Sequence, residues 1–256
     1  MSFLGVCCVP RTPVLLSPQT SSSLETELIY GQAFLTQRQE GRFIKGTVVP
    51  LCPLVGGPVS QGYVRAKDLK MSGPEALYKI TSLKAPVFSK KNIKSPIKFL
   101  LPFGARLVVE SSHRDFIRIG RAQYVHQKHI APAAEHETDF VSVAERHIGL
   151  PYIWGGISSD GLDCSGLVQT SLWAIGQGCP RNSGEQKDGL GTPIDLQAPL
   201  QRGDLVFWPG HVGIMQDEKQ MVHANGFHMR TQSEPLKAAA QRIEKSEGPI
   251  IAIKRL

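Results

Sequence analysis

The sequence predicts an α+β protein in which a β-rich N-terminal half precedes a domain that mixes helices and strands. Before about residue 130, short runs rich in β-branched and aromatic residues alternate with Gly, Pro and Ser turns. The clearest helical pattern comes later, at residues 164–175, where apolar positions share one face and Gly176 and Gly178 end the run. With 256 residues, the chain is long enough for two or three domains.

Two groups of short strands are predicted in the N-terminal half. The predicted strands are residues 33–36, 42–49, 62–65, 85–88, 105–110, 115–120 and 123–126. Each group closes with a similar segment, residues 62–69 in the first and 122–130 in the second. A divergent insert, residues 49–58, interrupts the first group. The polar, Pro-bearing residues 131–137 are typical of a linker, and a helix predicted at 139–149 opens the C-terminal domain.

The chemistry is concentrated around Cys164, which lies in the first turn of the predicted helix. A helix N-terminus and a nearby imidazolium both favour the nucleophilic thiolate form of a cysteine. His211 and His223 belong to two short apolar runs, residues 211–215 and 221–224, that we interpret as adjacent antiparallel strands. This arrangement would let one imidazole take the thiol proton while the other orients the first. A buried structural cysteine with two hydrogen-bonded histidines is the alternative interpretation.

Composition argues against several other classes of protein. The net charge is +7 and the pI about 9.2, but the lysines of residues 79–98 form neither a helical basic stripe nor a nucleic-acid motif. No apolar run approaches the roughly 18 residues of a membrane span, and residues 1–11 make a poor signal peptide. The five cysteines lack metal-ligand spacing and indicate a reducing compartment. We therefore expect a cytoplasmic protein without metal or cofactor, whose activity survives EDTA and whose partners include neither nucleic acid nor membrane.

Six short motifs follow one another in the second half of the chain. They are Pro-Tyr-Ile-Trp-Gly-Gly at 151–156, Asp-Cys-Ser-Gly-Leu at 163–167, Pro-Arg-Asn-Ser-Gly-Glu-Gln at 180–186, Arg-Gly-Asp-Leu-Val-Phe-Trp at 202–208, Gly-His-Val-Gly-Ile at 210–214 and Val-His-Ala-Asn at 222–225. In this order they resemble the NlpC/P60 family of cell-wall cysteine peptidases. The resemblance covers residues 138–256 and implies a papain-like catalytic domain there.

The resemblance also implies a role for each residue of the site. Cys164 would attack an amide carbonyl, His211 would act as general base and later as general acid, and His223 would orient His211. The hydroxyl of Tyr152 and the backbone N–H of Cys164 would stabilise the oxyanion that forms in the transition state. A packed aromatic side chain is the alternative interpretation of Tyr152.

The N-terminal half resembles tandem bacterial SH3 modules, small β-barrels that often precede this catalytic domain. The expected boundaries are residues 1–72 for the first barrel, 73–131 for the second and 138–256 for the catalytic domain. The predicted fold is therefore α+β, with a papain-like NlpC/P60 domain behind two SH3-like β-barrels. We expect a monomer.

Within the family, the layout is similar to that of γ-D-glutamyl-L-diamino-acid endopeptidases, the dipeptidyl-peptidase VI group, which cleave muropeptides with a free N-terminal L-Ala. The similarity implies that Asp163, Ser165 and Ser183 bind the free amine and first residue of the substrate, and that Tyr63 contributes from the first barrel. A carboxylate is the natural partner of a buried ammonium, so blocked substrates would be rejected. The alternatives are a helix N-cap at Asp163, an ordinary loop serine at Ser183 and a barrel tyrosine at Tyr63.

The expected function is hydrolysis of the γ-D-glutamyl-L-diamino-acid bond of muropeptides during murein recycling. Two other functions remain open. One is a catalytically idle protein that binds cell-wall peptides through its SH3 modules. The other is an amidase or acyltransferase that uses the same cysteine and histidines.

Overall fold

The protein is described from a computed structural model. The described residues are 3–54, 58–71 and 73–256. Contacts between residues divide the chain into an N-terminal unit, Met1–Pro50 with Ser60–His136, and a C-terminal unit, Leu51–Val59 with Glu137–Leu256. Most of the insert predicted at 49–58 therefore belongs to the C-terminal unit, although residues 55–57 of that insert lie outside the described part of the chain.

The first strands of the N-terminal unit form one antiparallel sheet. They are β1 (Leu4–Cys7), β2 (Arg11–Leu15), β3 (Leu24–Ile29), β4 (Ala33–Glu40), β5 (Phe43–Val48), β6 (Gln61–Arg65) and β7 (Leu69–Met71). Their order in the sheet is β3-β2-β6-β5-β4-β1-β7, and among the described strands no pairing joins β3 to β7. Val14, Leu28, Phe34 and Val64 are fully buried and form the core of this sheet.

The later strands of the N-terminal unit form two smaller antiparallel sheets. They are β8 (Tyr78–Ile80), β9 (Lys84–Phe88), β10 (Ile97–Pro102), β11 (Arg106–Leu107), β12 (Ser111–His113), β13 (Phe116–Gly120), β14 (Gln123–His126) and β15 (Ile130–Pro132). One sheet has the order β10-β9-β14-β13-β12 and the other β11-β8-β15. Ile80, Val87, Leu101, Leu107 and Val125 are fully buried in their common core.

The two closing segments of the N-terminal unit have the same local structure. In the first, β6 leads through a 3-10 turn, Ala66–Asp68, into β7. In the second, β14 leads through a 3-10 turn, Gln127–His129, into β15. This shared order of strand, turn and strand accounts for the sequence repeat. The identification of the two groups of strands as SH3-like barrels stays a prediction.

Among its described residues, the C-terminal unit combines four helices with a six-stranded antiparallel sheet. Its elements are α1 (Phe140–Arg146), β16 (Ile157–Ser158), β17 (Gly161–Leu162), α2 (Cys164–Ala174), α3 (Ser183–Gly189), β18 (Thr192–Ile194), β19 (Leu205–Trp208), β20 (His211–Met215), β21 (Gln220–Asn225), β22 (Arg230–Pro235), α4 (Leu236–Ile243) and β23 (Ala252–Arg255). The sheet order is β18-β23-β19-β20-β21-β22. The mixed helix and strand content predicted for this part is confirmed. Within the described ranges, no helix is long and apolar enough to cross a membrane.

Helix α2 is the central element of the C-terminal unit, because every one of its residues is buried. Leu167 and Leu172 pack with Val212 of β20 and Val222 of β21 in one cluster. Full burial of each such side chain contributes about 1.5 to 3 kcal/mol. The core therefore fixes the helix against the two strands that carry the predicted histidines.

Residues 51–54 of the insert pack onto the end of α2. The thiol of the buried Cys52 donates to the backbone oxygen of Trp173 at 3.4 Å. The backbone oxygen of Pro53 approaches Gly178 so closely that a Cβ on residue 178 would lie 2.0 Å from it. This segment is therefore part of the C-terminal unit by direct packing.

Candidate active site

Cys164 is the first residue of α2, and its side chain lies against the start of β20. Its Sγ is 3.9 Å from the backbone oxygen of Gly210, and the N–H of Val212 is close enough to lower the pKa of the thiol. Burial has the larger effect and, with the charge of Asp163, raises the pKa of Cys164 to about 12. The resting cysteine is therefore a neutral thiol, because burial outweighs the effect of the helix N-terminus.

Backbone contacts hold the first turn of α2 in place. Asp163 is the N-cap residue, and its Oδ1 accepts a hydrogen bond of 2.7 Å from the N–H of Gly166. Its Oδ2 accepts one of 2.8 Å from the N–H of Gly155. A Cβ on Gly166 would lie 2.1 Å from the backbone oxygen of Gly156, so the approach of loop and helix requires glycine. These contacts set the position of Cys164.

Arg181 completes the surroundings of Asp163. Its guanidinium donates to Oδ2 at 2.6 Å and to Oδ1 at 3.0 Å, in a pair whose side chains are only 5% and 10% exposed. The hydroxyl of Ser165 donates to Oδ1 at 3.2 Å and accepts from Arg181 at 2.9 Å. Both carboxylate oxygens are thus already bonded, and a substrate ammonium would have to share them. No role was predicted for Arg181 from the sequence. The available signal was an arginine in one of the six motifs, since arginine is the residue best suited to pair with a buried carboxylate.

Ser183 and Tyr63 lie in different units of the structure. Ser183 is the half-buried first residue of α3, behind the N-cap residue Asn182. Tyr63 is buried in β6 of the N-terminal unit, where its hydroxyl lies 3.2 Å from a carboxylate oxygen of Glu40. Asp163 and Ser165 flank Cys164 in the sequence. The substrate-binding roles of all four residues stay predictions.

His211 and His223 are neighbours on the adjacent strands β20 and β21. The Nε2 atom of His211 is 2.8 Å from Nδ1 of His223, and the ring planes are nearly perpendicular. Burial, followed by the charge of His223, lowers the pKa of His211 to about 3. Burial also lowers the pKa of His223, against the opposing effect of the hydrogen bond that His223 donates to Glu234. Both rings are therefore neutral near pH 7.

Glu234 of β22 and Arg242 of α4 extend this chain beyond the residues that the sequence identified. Oε1 of Glu234 is 2.7 Å from Nε2 of His223, and Arg242 donates to both carboxylate oxygens at 2.6 and 2.8 Å. Burial opposes ionisation of Glu234, but the hydrogen bonds from His223 and Arg242 outweigh it and hold the pKa at about 2. The carboxylate is therefore ionised throughout the neutral range.

An ionised Glu234 determines the tautomer of both histidines. It can only accept, so Nε2 of His223 carries the proton and Nδ1 of His223 has a free lone pair. That lone pair accepts the Nε2 proton of His211, which leaves Nδ1 of His211 unprotonated. Asn225 Nδ2 also lies 3.0 Å from Nε2 of His223, but two N–H donors do not bond each other. This series of hydrogen bonds therefore leaves Nδ1 of His211 able to accept a proton.

Tyr152 is half-buried at the edge of the same site. Its backbone N–H donates to the backbone oxygen of Met229 at 3.0 Å. Burial, followed by the charges of Cys164 and Asp163, raises the pKa of the phenol well above its usual value. Tyr152 thus keeps its proton and is able to donate a hydrogen bond.

A pocket of about 420 Å³ opens beside the two side chains Tyr152 and His211. Trp154 and Phe227, each 71% exposed, line it together with Glu247. Within the described ranges, no group of three or more His, Cys, Asp or Glu side chains has the arrangement of a metal site. The chemistry available here is that of a thiol, a neutral imidazole and a phenol beside a pocket of ligand size.

Residues 149–243 match the model of the NlpC/P60 family. The chain is 26% identical over 224 residues to a γ-D-glutamyl-L-lysine dipeptidyl-peptidase of Bacillus subtilis, an alignment that covers 80% of this chain and 73% of that protein. A Bacillus cereus protein of the same name is 29% identical over 209 residues, which cover 78% of this chain but only 54% of the relative. A solved NlpC/P60 family structure from Bacillus cereus shares the fold, with a TM-score of 0.81 over 98% of this chain and 99% of that chain at 19% identity.

The matched region contains Tyr152, Cys164, the two paired histidines and Glu234. Its helix, strands and polar side chains form the site described above. Residues 149–243 thus form an NlpC/P60 domain, as their match to the model of this cysteine-peptidase family shows.

Proposed function

We propose that this protein hydrolyses the γ-D-glutamyl-L-diamino-acid bond of muropeptides that carry a free N-terminal L-Ala, and that it acts in murein peptide recycling in the cytoplasm. The observation that carries the proposal is the continuous hydrogen-bonded chain from His211 through His223 to Glu234. The thiol of Cys164 lies against Gly210 and Val212, the two residues that flank His211. The names of the two Bacillus relatives support this choice of substrate.

The proposed reaction starts from the neutral thiol and imidazole. Nδ1 of His211 takes the thiol proton while the sulfur of Cys164 attacks the carbonyl carbon of the γ-glutamyl bond. His223 and Glu234 stabilise the imidazolium that forms, since a negative carboxylate lies at the end of the chain. The hydroxyl of Tyr152 and the N–H of Cys164 donate to the oxyanion.

Collapse of this intermediate breaks the C–N bond. His211 gives its proton to the leaving amine of the diamino acid, and the dipeptide stays attached to Cys164 as a thioester. A water molecule, deprotonated by His211, then attacks the thioester. The dipeptide acid leaves and Cys164 regains its proton, so the site returns to its starting state.

We assign recognition of the substrate's N-terminus to Asp163, Ser165, Ser183 and Tyr63. Asp163 would combine this role with its N-cap bond, so the ammonium would share the carboxylate with Arg181. We further propose that residues 1–72 and 73–131 are SH3-like modules and that the first limits the substrate's length. The protein would work as a monomer without cofactor on a free muropeptide.

Acetylation of the substrate's N-terminus tests the proposal. We compare kcat/KM on L-Ala-γ-D-Glu-L-Lys with that on its N-acetyl derivative, which lacks the charge and adds bulk. We expect a loss on the order of a thousandfold, because the acetyl group removes the ammonium that Asp163 would share with Arg181 and adds bulk at that position. Similar rates on the two peptides, or release of peptides from intact sacculi, would leave a cysteine peptidase but refute this specificity.

A further inference from the structure

The position of the pocket beside His211 indicates which part of the substrate it faces. In the proposed reaction, His211 protonates the leaving amine, so the released residue must lie on the His211 side of the bond. His211 lines this pocket. Asp163, Ser165 and Ser183, which we assign to the substrate's N-terminus, are not among the described residues that line the pocket. The pocket therefore faces the residue whose amine is released.

Besides Tyr152 and His211, two aromatic side chains and two charged groups line this pocket. Phe227 and Trp154 are strongly exposed and line the same pocket, and exposed apolar surface of this kind is typical of ligand-binding grooves. Arg242 lies over the Phe227 ring, with its guanidinium carbon 4.4 Å from the ring centre. Arg242 already donates to both carboxylate oxygens of Glu234, so the positive charge of Arg242 is neutralised.

Glu247 is the other charged group of the pocket. Its carboxylate is exposed and forms no ion pair with any described side chain. Its negative charge reaches the site, since it is one of the charges that raise the pKa of Tyr152. The pocket thus offers a negative charge and two aromatic faces, which together suit an alkyl chain that ends in a cation.

We infer that this pocket binds the side chain of the released diamino acid, and that Glu247 selects an ammonium group at its end. Trp154 and Phe227 cover the methylene stem. The inference rests on the proposed function and names its leaving residue as a lysine-type diamino acid. A diamino acid with a second carboxylate at the end of its side chain would bring a like charge next to Glu247, and would bind less well.

Substrate preference in a Glu247→Gln variant tests this inference. The substrates are L-Ala-γ-D-Glu-L-Lys, its Nε-acetyl-lysine analogue and the meso-diaminopimelate analogue. The wild-type enzyme should prefer the lysine peptide over the acetylated one by about fivefold in kcat/KM, the size expected of an exposed ion pair. Glu247→Gln should abolish this preference. It should also reduce the difference in kcat/KM between the lysine and diaminopimelate peptides, and it should change kcat/KM on the acetylated peptide little.

Glu244→Gln is the matched control, because Glu244 is an exposed glutamate one turn earlier that does not line the pocket. It should keep the wild-type preference. An unchanged preference in Glu247→Gln would overturn the inference. Loss of the preference in Glu244→Gln as well would overturn it too, since the effect would then reflect general surface charge.

Binding to an inactive variant separates this inference from the proposed function. Lysinamide is titrated into Cys164→Ala with and without Glu247→Gln, and the indole N–H signal of Trp154 is followed by NMR. We expect Nε-acetyl-lysinamide to bind more weakly, and Glu247→Gln to remove the difference. If no peptide is cleaved but this result holds, the proposed function fails and the pocket assignment stands. Equal shifts with both ligands would refute the pocket assignment itself.

Discussion

The Nε2 atom of His223 lies 2.7 Å from Oε1 of Glu234, and Arg242 binds the other side of the same carboxylate. This pair anchors the two-histidine chain to α4. Glu234 does not line the pocket beside His211, so in the proposed reaction it is a positioning residue. Its effect is on the proton positions of His223 and, through that ring, of His211.

Glu234→Gln should lower kcat about tenfold to a hundredfold with little change in KM. The amide can donate to Nε2 of His223, which would reverse the tautomer and place a proton on the base nitrogen of His211. We would measure kcat and KM together with imidazole ¹⁵N shifts. Glu234→Asp, which keeps the carboxylate, should recover part of the activity. Wild-type kcat and unaltered tautomers in Glu234→Gln would show that the carboxylate only supports the fold.

Substitutions of the three central residues should differ in severity. Cys164→Ala should abolish hydrolysis, with a loss of at least about a thousandfold, because no other group forms the thioester. His211→Ala should be nearly as inactive, whereas His223→Ala should retain measurable turnover because it removes only the orienting ring. Single-turnover rates on a defined muropeptide rank the three variants. Equal rates for His223→Ala and wild type would remove His223 from the mechanism.

Arg181→Leu should lower the free energy of unfolding by about 3 to 5 kcal/mol, since it leaves the carboxylate of Asp163 buried without its cation. Arg181→Lys should cost less but remain destabilising, because an ammonium cannot reproduce both hydrogen bonds. Urea denaturation gives the values. The exposed pair Arg146–Glu137 provides the control, and Arg146→Leu should change stability by less than about 1 kcal/mol. Similar losses for Arg181→Leu and Arg146→Leu would contradict the prediction.

Stability should fall as the pH is lowered below 6.5, partly through His147. This ring is fully buried at the end of α1, its Nδ1 donates to the backbone oxygen of Val143 at 2.8 Å, and burial lowers its pKa to about 4. Between pH 6.5 and 4 the unfolded chain binds a proton at this histidine that the folded protein does not bind. Its contribution is therefore complete above pH 6.5 and is lost as the pH falls towards 4.

His147→Gln tests this account, because glutamine keeps a side-chain donor but does not titrate. Between pH 7 and pH 5, the loss of unfolding free energy should be smaller in the variant than in wild type by roughly 2 kcal/mol. Denaturant titrations at the two pH values give this difference. Parallel losses in both proteins would assign the acid sensitivity to other groups, among them His211 and His223, whose pKa values are also lowered by burial.

The parts of the site that follow from the sequence are those encoded by local patterns. Cys164 begins a helix because Asp163 caps it, and short apolar runs predicted the strands that carry His211 and His223. Glu234 could not be found in this way. Its strand, β22, reads Arg-Thr-Gln-Ser-Glu-Pro and lacks an apolar alternation, so its pairing with β21 was not predicted.

The state of the thiol was equally beyond a sequence argument. A helix N-terminus and a histidine were visible in the motifs, and both favour the thiolate. The extent of burial was not visible, because it depends on how α2 packs against β20 and on the charge of Asp163. In the folded protein these raise the pKa of Cys164, so in the proposed reaction ionisation accompanies the attack on the substrate.

The packing of residues 51–54 against α2 determines how this protein can be divided in the laboratory. Cys52 and Pro53 precede the last strands of the first group in the chain, yet they cover Trp173 and Gly178 of the peptidase domain. A truncation that starts at residue 138 would remove these residues and expose the C-terminal end of α2. A single truncation therefore cannot isolate the peptidase domain intact. A loss of activity after such a truncation would not by itself measure what the N-terminal strands contribute to substrate choice.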